Sequence, residues 1–387
     1  MVHIVIDGRT LCGPFTGDRT YWRGLLSQLP AAAPNWTFTV ATREPIGNDC
    51  SYLPQSLNYK VIAAPNDRIW TFRALPAAAR ALGADLVHTQ YTAPWPGLCG
   101  CPVVTTVHDI SFHLYPQWFP RYHRILMNLT VPVSMRRASA VITVSESSRQ
   151  DILRSYHLPD EKVFGIDNGI DAGYRPAATR EEREKDREFV QREYKVASPF
   201  ILAVGVMQPR KNLSLLAEAF GEMCRRGDRN TSLVFTGKAG WATGQDELKR
   251  AAAVRGGDSP AARLLFTGYV PDDDLPRLMR ASTIFAFPSL FEGFGLPPLE
   301  AMASGTPTVC ADAPAMNRLV LDGALLVSPH SSDDWADTLE RLLGDEKLVQ
   351  MLTARGPEVA ALYTWERAAR ETVNAYHYAI GHLKRTS

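Results

Sequence analysis

Short apolar runs rich in β-branched residues recur along the chain and alternate with segments that have the apolar spacing of helices. In the first half they predict strands at His3–Ile6, Phe38–Val40, Leu86–His88, Val103–Val107, Ala140–Val144 and Val163–Ile166, with helices at Tyr21–Leu29, Ile69–Leu82, Arg121–Arg137 and Ser147–Tyr156. In the second half they predict strands at Phe200–Val206, Ser232–Thr236, Leu264–Thr267, Thr283–Phe287, Thr308–Ala311 and Ala324–Val327. Buried strands that alternate with helices are typical of parallel, doubly wound α/β sheets.

The length of 387 residues favours two such domains, because one hydrophobic core rarely serves so long a chain. We predict an N-terminal Rossmann-like domain over residues 1–172 and a second over 173–364. A helical pattern near the C-terminus, over 365–383, is expected to pack back on the first domain. The charge-dense stretch Thr179–Arg192 is typical of a solvated helix that leads into the second domain.

Composition excludes several classes of protein. A net charge of +1 gives no overall positive field for nucleic acid, so we expect no nucleic-acid partner. No apolar run approaches the roughly 20 residues that span a bilayer, and the N-terminus resembles a strand rather than a secretion signal. The six cysteines have neither disulfide-framework nor metal-site spacing. The protein is expected to be cytoplasmic.

The segment from Phe287 to Pro307 has the pattern of a strand end, a glycine loop and a helix start. Pro297 and Pro298 suit the first helical turn, where a missing N–H costs nothing. Amide groups of such a loop and turn suit an anion or sugar hydroxyls. Glu292 and Glu300, eight residues apart, can hold the two ends of one bound molecule. The alternative for Glu300 is a first-turn glutamate favoured by the helix dipole.

This segment resembles the retaining GT-B glycosyltransferases of glycosyltransferase family 4. The residues that match the family motif are Glu292, Gly293, Phe294, Gly295, Leu296, Pro297, Glu300, Ala301, Gly305 and Pro307. The resemblance implies two Rossmann-like domains that face each other across a cleft. It also implies that Glu292 lies at the donor sugar, that the loop from Gly293 to Leu296 holds sugar and phosphate, and that Glu300 binds the ribose.

The loop after the strand at Phe200–Val206 carries two adjacent cations, Arg210 and Lys211. Cations beside a helix N-terminus suit a diphosphate, and we expect Asn212 to cap that helix. The family has the same Arg-Lys pair on the donor diphosphate, so the resemblance assigns this loop, from Gly205, to donor binding. The alternative is a pair of exposed loop cations.

Three further places in the first half follow strands, where ligands of such sheets bind. Family members have a glycine pair in the first loop. Here only Gly17 remains of that pair, and the resemblance assigns it to donor binding. Either Arg19 places a cation where other members use bare backbone, or the acceptor has changed. The resemblance makes His108 a donor-sugar contact; the alternative is a histidine bonded to a loop carbonyl. For Ser145 and Glu146, the alternative to a ligand contact is a helix cap followed by a first-turn acid.

The acidic run Asp272–Asp274 has two interpretations. It could bind a metal, or it could supply the cap and first-turn acids of the following helix, which its setting favours. Since Arg210 and Lys211 can neutralise a diphosphate, we expect no metal and no other cofactor. Near the helix at Arg121–Arg137, aromatic residues mixed with arginines fit either a contact with the inner membrane face or a core helix with its loop.

The expected reaction is transfer of a hexose, with retention, from a nucleotide diphosphate sugar to a hydroxyl of a glycan or polyprenyl-linked glycan. The string from Leu233 to Trp241 and the Glu292–Glu300 block resemble bacterial mannosyltransferases of O-antigen or capsule assembly. GDP-mannose is therefore the first donor to test and a UDP-sugar the second. A nucleotide-sugar epimerase on the same fold and a non-catalytic sugar-nucleotide-binding subunit are the alternatives.

Overall fold

The computed structural model describes residues 1–13, 17–47, 50, 52–238, 240, 244–257 and 260–386, with the side chains of 382–386 left out. The chain divides into two compact units, one made of residues 1–169 with 363–387 and the other of residues 170–362. The predicted boundaries lay at 172 and 364. Ala239 and Trp241, which belong to the mannosyltransferase-like string, lie outside the described residues.

The first unit contains one parallel sheet of seven described strands, ordered β3-β2-β1-β4-β5-β6-β7. Its strands are β1 His3–Asp7, β2 Thr37–Thr42, β3 Asn58–Val61, β4 Leu86–Gln90, β5 Val103–Thr106, β6 Ala140–Thr143 and β7 Val163–Gly165. The helices are α1 Gly17–Ala32, α2 Asp67–Ile69, α3 Leu75–Ala81, α4 Pro96–Cys99, α5 Ser111–Leu114, α6 Arg121–Arg137 and α7 Glu146–Tyr156. The predicted parallel, doubly wound sheet is confirmed.

The second unit repeats this plan with six described strands, ordered β10-β9-β8-β11-β12-β13. The strands are β8 Phe200–Val204, β9 Ser232–Thr236, β10 Leu264–Gly268, β11 Ile284–Phe287, β12 Thr308–Ala311 and β13 Leu325–Val327. The helices are α8 Arg180–Tyr194, α9 Leu213–Arg226, α10 Gln245–Gly256, α11 Leu275–Ala281, α12 Leu296–Ala303, α13 Pro314–Leu319, α14 Ser332–Gly344 and α15 Glu346–Ala360. All of the described strand pairs are parallel.

The last helix, α16 Trp365–Thr386, belongs to the first unit, as its apolar pattern predicts. It packs on α1, where the ring of Trp365 lies so close to Gly24 that a Cβ there would be 1.9 Å from the indole. The hydroxyl of Tyr376 lies 2.6 Å from Nδ1 of His88, and both side chains are fully buried. This polar contact fixes α16 against the sheet.

In each unit the strand order reverses between two central strands, β1 and β4 in the first and β8 and β11 in the second. β8 and β11 are hydrogen-bonded neighbours, with Ile201 opposite Ile284 and Leu202 opposite Phe285. A crevice forms beyond the carboxyl ends of strands at such a reversal, and ligands of open α/β sheets bind there. The loops that follow β8 and β11 are therefore placed side by side.

Candidate active site

The loop after β8 brings both predicted cations to the reversal point of the second sheet. β8 ends at Val204, two residues earlier than predicted, because Gly205 has a φ of +145° that ends the extended chain. A Cβ at Gly205 would lie 3.3 Å from Cε of Lys211, so glycine leaves the lysine room to lie across the backbone. Arg210 and Lys211 then follow in a short 3-10 turn, Pro209–Lys211.

Glu292, in the loop after β11, binds both cations. Its Oε2 lies 2.7 Å from Nη1 of Arg210, and its Oε1 lies 2.6 Å from Nζ of Lys211. The hydroxyl of Ser289 donates to the same Oε1 at 2.5 Å. Burial would raise the pKa of Glu292, but the charges of Arg210 and Lys211 and these hydrogen bonds lower it to about 2. The carboxyl group is therefore ionised at neutral pH.

Hydrogen bonds to backbone carbonyls hold the loops after β8 and β11 together. The N–H of Leu290 donates to the carbonyl of Arg210 at 2.8 Å, and Nη1 of Arg210 donates to the carbonyl of Phe291 at 3.0 Å. The Ser289 hydroxyl also lies 3.2 Å from the Arg210 carbonyl. Since both loops and the side chains between them are fixed, the charges of this cluster are preorganised. The interpretation of Arg210 and Lys211 as exposed loop cations is wrong.

The glycine loop ends where α12 begins. Gly293 and Phe294 are buried, and Gly295 has a φ of +121° immediately before Leu296, the first residue of α12. The two prolines occupy the first turn, as predicted. Glu300 is the fifth residue of the helix, so the interpretation of Glu300 as a first-turn acid held by the dipole is wrong.

Glu300 is only 8% exposed. Burial, together with the carboxylates of Asp272 and Asp171, raises its pKa to about 8, against a hydrogen bond from the hydroxyl of Tyr174. A buried carboxyl group with acidic neighbours is unfavourable for folding, and such groups are concentrated at functional sites. Glu292 and Glu300 thus have the same side chain, but the pKa of Glu292 is lowered and that of Glu300 is raised.

In the first unit, His108 follows β5 and is partly buried. Its Nε2 lies 3.2 Å from Nε2 of Gln90, the last residue of β4, and 3.4 Å from a carboxylate oxygen of Asp18 in α1. The ring of Tyr21 packs edge-on against it at 5.0 Å. Burial lowers the pKa of His108, while the charges of Asp18 and Asp109 oppose that shift. The imidazole therefore contacts side chains from two elements, α1 and β4, and its predicted role as a donor contact stays a prediction.

Gly17 and Arg19 lie at the start of α1 and differ in exposure. Gly17 is the exposed first residue of α1, and no described atom lies within 4 Å of a Cβ built on it. Arg19 is 5% exposed, and its Nη1 donates to the carbonyl of Gly13 at 2.9 Å. The expectation that Arg19 offers a cation to a ligand stays a prediction. Thr16, in the same loop, lies outside the described residues.

Two helix-cap predictions are wrong and one is confirmed. Asn212 has a left-handed φ of 53° and no side-chain cap hydrogen bond; its amide instead donates to the carbonyl of Pro329. α11 begins at Leu275, after the acidic run, and Asp274 accepts a hydrogen bond from Tyr194 rather than capping the helix. Ser145 does cap α7, with its hydroxyl accepting from the N–H of Ser148.

Most of the residues that contact Glu292 and Glu300 were not predicted from the sequence. Ser289, three residues before Glu292, lies within the motif and could have been found there. Asp171 and Tyr174 come to Glu300 from the loop before α8, and Asp272 comes from the loop before α11, so no local signal places them. Among the described residues, no group of three or more His, Cys, Asp or Glu side chains is arranged to hold a metal ion.

Comparisons with known proteins identify the family of the chain. The family described as "Glycosyl transferases group 1" matches residues 184–359, and "Glycosyltransferase Family 4" matches residues 19–174. The O-antigen chain mannosyltransferase B of Escherichia coli is 32% identical over 274 residues, which is 70% of this chain and 69% of that relative. The chain belongs to this family of glycosyltransferases. The resemblance predicted from the Glu292–Glu300 block is confirmed.

Two further matches are a relative in sequence and a solved structure. The serotype-specific mannosyltransferase WbdA of Escherichia coli is 26% identical over 73% of this chain and 33% of its own length, so the chain spans about a third of that relative. The crystal structure of Anabaena Alr3699/HepE in complex with UDP and glucose superposes with a TM-score of 0.72 at 21% identity, covering 97% of this chain and 99% of that one. This likeness confirms the fold. Within the described residues, every helix is too short or too polar to cross a bilayer.

Proposed function

We propose that this glycosyltransferase transfers a hexose with retention of configuration, with GDP-mannose as the first donor and a hydroxyl of a glycan or lipid-linked glycan as the acceptor. Two relatives named as mannosyltransferases support the choice of mannose. A UDP-sugar is the second donor, since the Anabaena structure contains UDP and glucose. The family resemblance supports retention and the role of His108 as a contact of the donor sugar.

One observation carries the proposal: Arg210 and Lys211 converge on Glu292 beside the first turn of α12, at the reversal point of the sheet. Glycosyl transfer leaves negative charge on the departing diphosphate. Fixed cations in a partly buried loop stabilise such charge without reorganising during the reaction. The negative charge of Glu292 neutralises one of the two positive charges of Arg210 and Lys211. The cluster therefore keeps about one net positive charge, which can bind the phosphates.

The test is a donor screen with product analysis. Purified protein would be incubated with the GDP, UDP and ADP forms of common sugars and a glycan acceptor, and release of nucleotide and glycan product would be measured. We expect turnover with GDP-mannose, loss of about 100-fold or more in Arg210→Gln and Lys211→Met, and little change in Arg192→Gln. Arg192 is a matched control because it is exposed on α8 and pairs with Glu193.

The outcomes distinguish the alternatives. Conversion of a nucleotide sugar without an acceptor would indicate an epimerase, and binding without turnover a non-catalytic subunit. NMR of the product's anomeric carbon tests retention. Equal activity in the wild type and both loop variants would overturn the assignment of the site.

A second measurement uses Glu292→Gln. If the carboxylate competes with the diphosphate for Arg210 and Lys211, its removal should tighten GDP binding several-fold in calorimetry. Because the same carboxylate is proposed to lie at the donor sugar, turnover should fall. Weaker GDP binding in this variant would contradict the proposed competition.

We also propose that the reaction needs no metal ion, because the two cations supply the charge that a divalent metal would bring. Activity should then survive dialysis against EDTA and show no dependence on added Mg²⁺ or Mn²⁺. A loss of activity that Mg²⁺ restores would refute this part of the proposal.

A lipid-linked acceptor would require contact with a membrane, and we propose the exposed face of α6 for that contact. Tyr122, Ile125, Leu129 and Val133 follow at spacings of three and four along this face, with Leu129 66% exposed. Exposed arginines lie at its ends, at Arg121, Arg136 and Arg137. An apolar stripe with basic ends suits an interface that contains anionic lipids.

Vesicle sedimentation tests this contact. The wild type should bind vesicles that contain phosphatidylglycerol more strongly than pure phosphatidylcholine, and Ile125→Asp with Leu129→Asp should abolish binding. Val254→Asp serves as the control, because Val254 is an equally exposed apolar residue on α10. Equal sedimentation of the wild type and the α6 variant would refute the proposal.

A further inference from the structure

A pocket of about 310 Å³ lies within the second unit, between the start of α8 and the end of α12. Its walls include Thr179, Arg180 and Arg183 from the start of α8, Arg280 from the end of α11, and Ser304 and Gly305 after α12. Its described lining contains none of the residues of the cluster at Glu292. The volume is at the lower end of the range for small-molecule sites.

Arg183 is held in this wall by neutral partners. Its Nε donates to the carbonyl of Arg280 at 3.2 Å, and its Nη2 to the carbonyl of Ser282 at 3.4 Å. In the described part of the chain, no carboxylate oxygen lies within 4.0 Å of Arg183 or of the neighbouring Arg180. Burial lowers the pKa of Arg183, and the charge of Arg187 adds to this, against Glu184. A partly buried cation without a counter-ion is unfavourable.

Three acids of α8, Glu182, Glu184 and Asp186, are already engaged with other cations. Glu182 binds Arg175 at 2.7 Å, and Glu184 binds Arg187 at 2.7 Å. Asp186 is shared by two arginines, at 2.9 Å from Arg277 and 2.6 Å from Arg280. The wall therefore has an excess of positive charge that these acids do not neutralise.

The N-terminus of α8 is not itself the feature that points to a ligand. Thr179 caps it by accepting from the N–H of Glu182, and the carboxylate of Glu182 accepts from the N–H of Ala178. The amides of Ala178, Glu182 and Arg183 at this end thus have protein partners. The groups left to bind a ligand are the guanidinium N–H groups of Arg180 and Arg183 that make no hydrogen bond, together with the hydroxyl hydrogen of Thr179.

We infer that this pocket binds a small phosphorylated metabolite through Arg180 and Arg183. Guanidinium groups bind phosphate oxygens in a fork, and two of them match the charge of a phosphomonoester, which is −1.5 to −2 near pH 7. The remaining volume accommodates an organic group such as a hexose. The site is separate from the donor site and does not depend on the proposed function.

The test is calorimetric titration with inorganic phosphate and with a hexose 6-phosphate at constant ionic strength, with the free hexose as the chemical control. All titrations use the Arg210→Gln background, so that the cluster at Glu292 contributes least to phosphate binding. We expect saturable binding of the hexose 6-phosphate, about tenfold or more weaker after Arg180→Gln or Arg183→Gln. Arg192→Gln, on the same helix but outside the pocket, should leave the affinity unchanged.

Arg180 is exposed, so its replacement should not affect folding, which circular dichroism would check. Absence of saturable binding, or an affinity within about twofold of the parent in Arg180→Gln, overturns the inference. Loss of donor turnover in the separate assay bears only on the proposed function. The two ideas can therefore fail independently.

Discussion

Replacement of Glu300 by glutamine tests whether its carboxyl group is strained by burial. Glutamine keeps the shape of the side chain and can still accept the hydrogen bond from Tyr174. It cannot ionise. The difference in unfolding free energy between Glu300→Gln and the wild type, followed against pH, therefore isolates the cost of a buried carboxylate.

The sign and size follow from the pKa of about 8, compared with an ordinary value of 4.5. Because the folded protein binds this proton more tightly than the unfolded chain does, the wild type loses stability as the pH rises from about 4.5 to about 8. Each pKa unit corresponds to about 1.4 kcal/mol, so the full loss is at most about 5 kcal/mol. Above pH 8 the loss is complete and the difference becomes constant.

Urea unfolding of both proteins at intervals between pH 4 and pH 9.5 measures this difference. We expect the two stabilities to agree within about 1 kcal/mol at pH 4, where both side chains are neutral. The glutamine variant should then become progressively more stable than the wild type, by at least about 2 kcal/mol above pH 8. A constant difference across the range would refute the assignment of a raised pKa to Glu300.

Glu292→Gln is the matched control, since it makes the same chemical change eight residues earlier. The pKa of Glu292 is lowered to about 2, so its charge stabilises the fold above pH 4.5 and this contribution is lost as the pH falls through about 2. At neutral pH the control should be destabilised by about 3 kcal/mol, because two cations lose their buried partner. Opposite signs for the two glutamates are therefore expected in one experiment.

Three further predictions concern stability at pH 7 and are checked by urea unfolding. Tyr376→Phe should cost about 1–3 kcal/mol, because it leaves Nδ1 of the buried His88 without its partner; an unchanged stability would contradict the anchoring of α16. Gly295→Ala should cost about 1 kcal/mol or more, because its φ of +121° is unfavourable for alanine, whereas Gly344→Ala, whose Cβ meets no described atom within 4 Å, should be close to neutral. Asp186→Asn should cost about 3–5 kcal/mol, since this buried carboxylate holds two arginines; a loss below about 1 kcal/mol would show that the pair is dispensable.

The sequence predicts the strands well where both faces of a strand are buried. The exception is β3, Asn58–Val61, whose four residues are all exposed at the edge of the sheet. In this short edge strand Asn58 and Lys60 alternate with Tyr59 and Val61, so no continuous apolar run reveals it in the sequence. Its pairing with β2 in the structure identifies it. Strand order itself depends on contacts between distant segments, so the chain order alone did not determine it.

The candidate site also contains residues that could be predicted from the sequence and residues that could not. Arg210, Lys211 and Glu292 could be predicted because each follows a recognisable strand, and the family motif identified them. The error at Asn212 came from backbone geometry that residue type does not determine. Asn212 has a left-handed backbone in which its side chain reaches the carbonyl of Pro329 instead of the helix end.

The environments of Glu292 and Glu300 support different roles for the two residues at one site. The pKa of Glu292 is lowered and that of Glu300 is raised, so at neutral pH the first is a carboxylate and the second a carboxylic acid. Glu292 remains ionised because two fixed cations surround it, and a diphosphate would have to share those cations with it. Glu300 holds a proton at neutral pH. It would release this proton only when hydrogen-bond donors, such as ribose hydroxyls, replace the water molecules that burial removed from the carboxyl group. Donor binding should therefore be coupled to proton release from Glu300, while the charge of Glu292 stays constant.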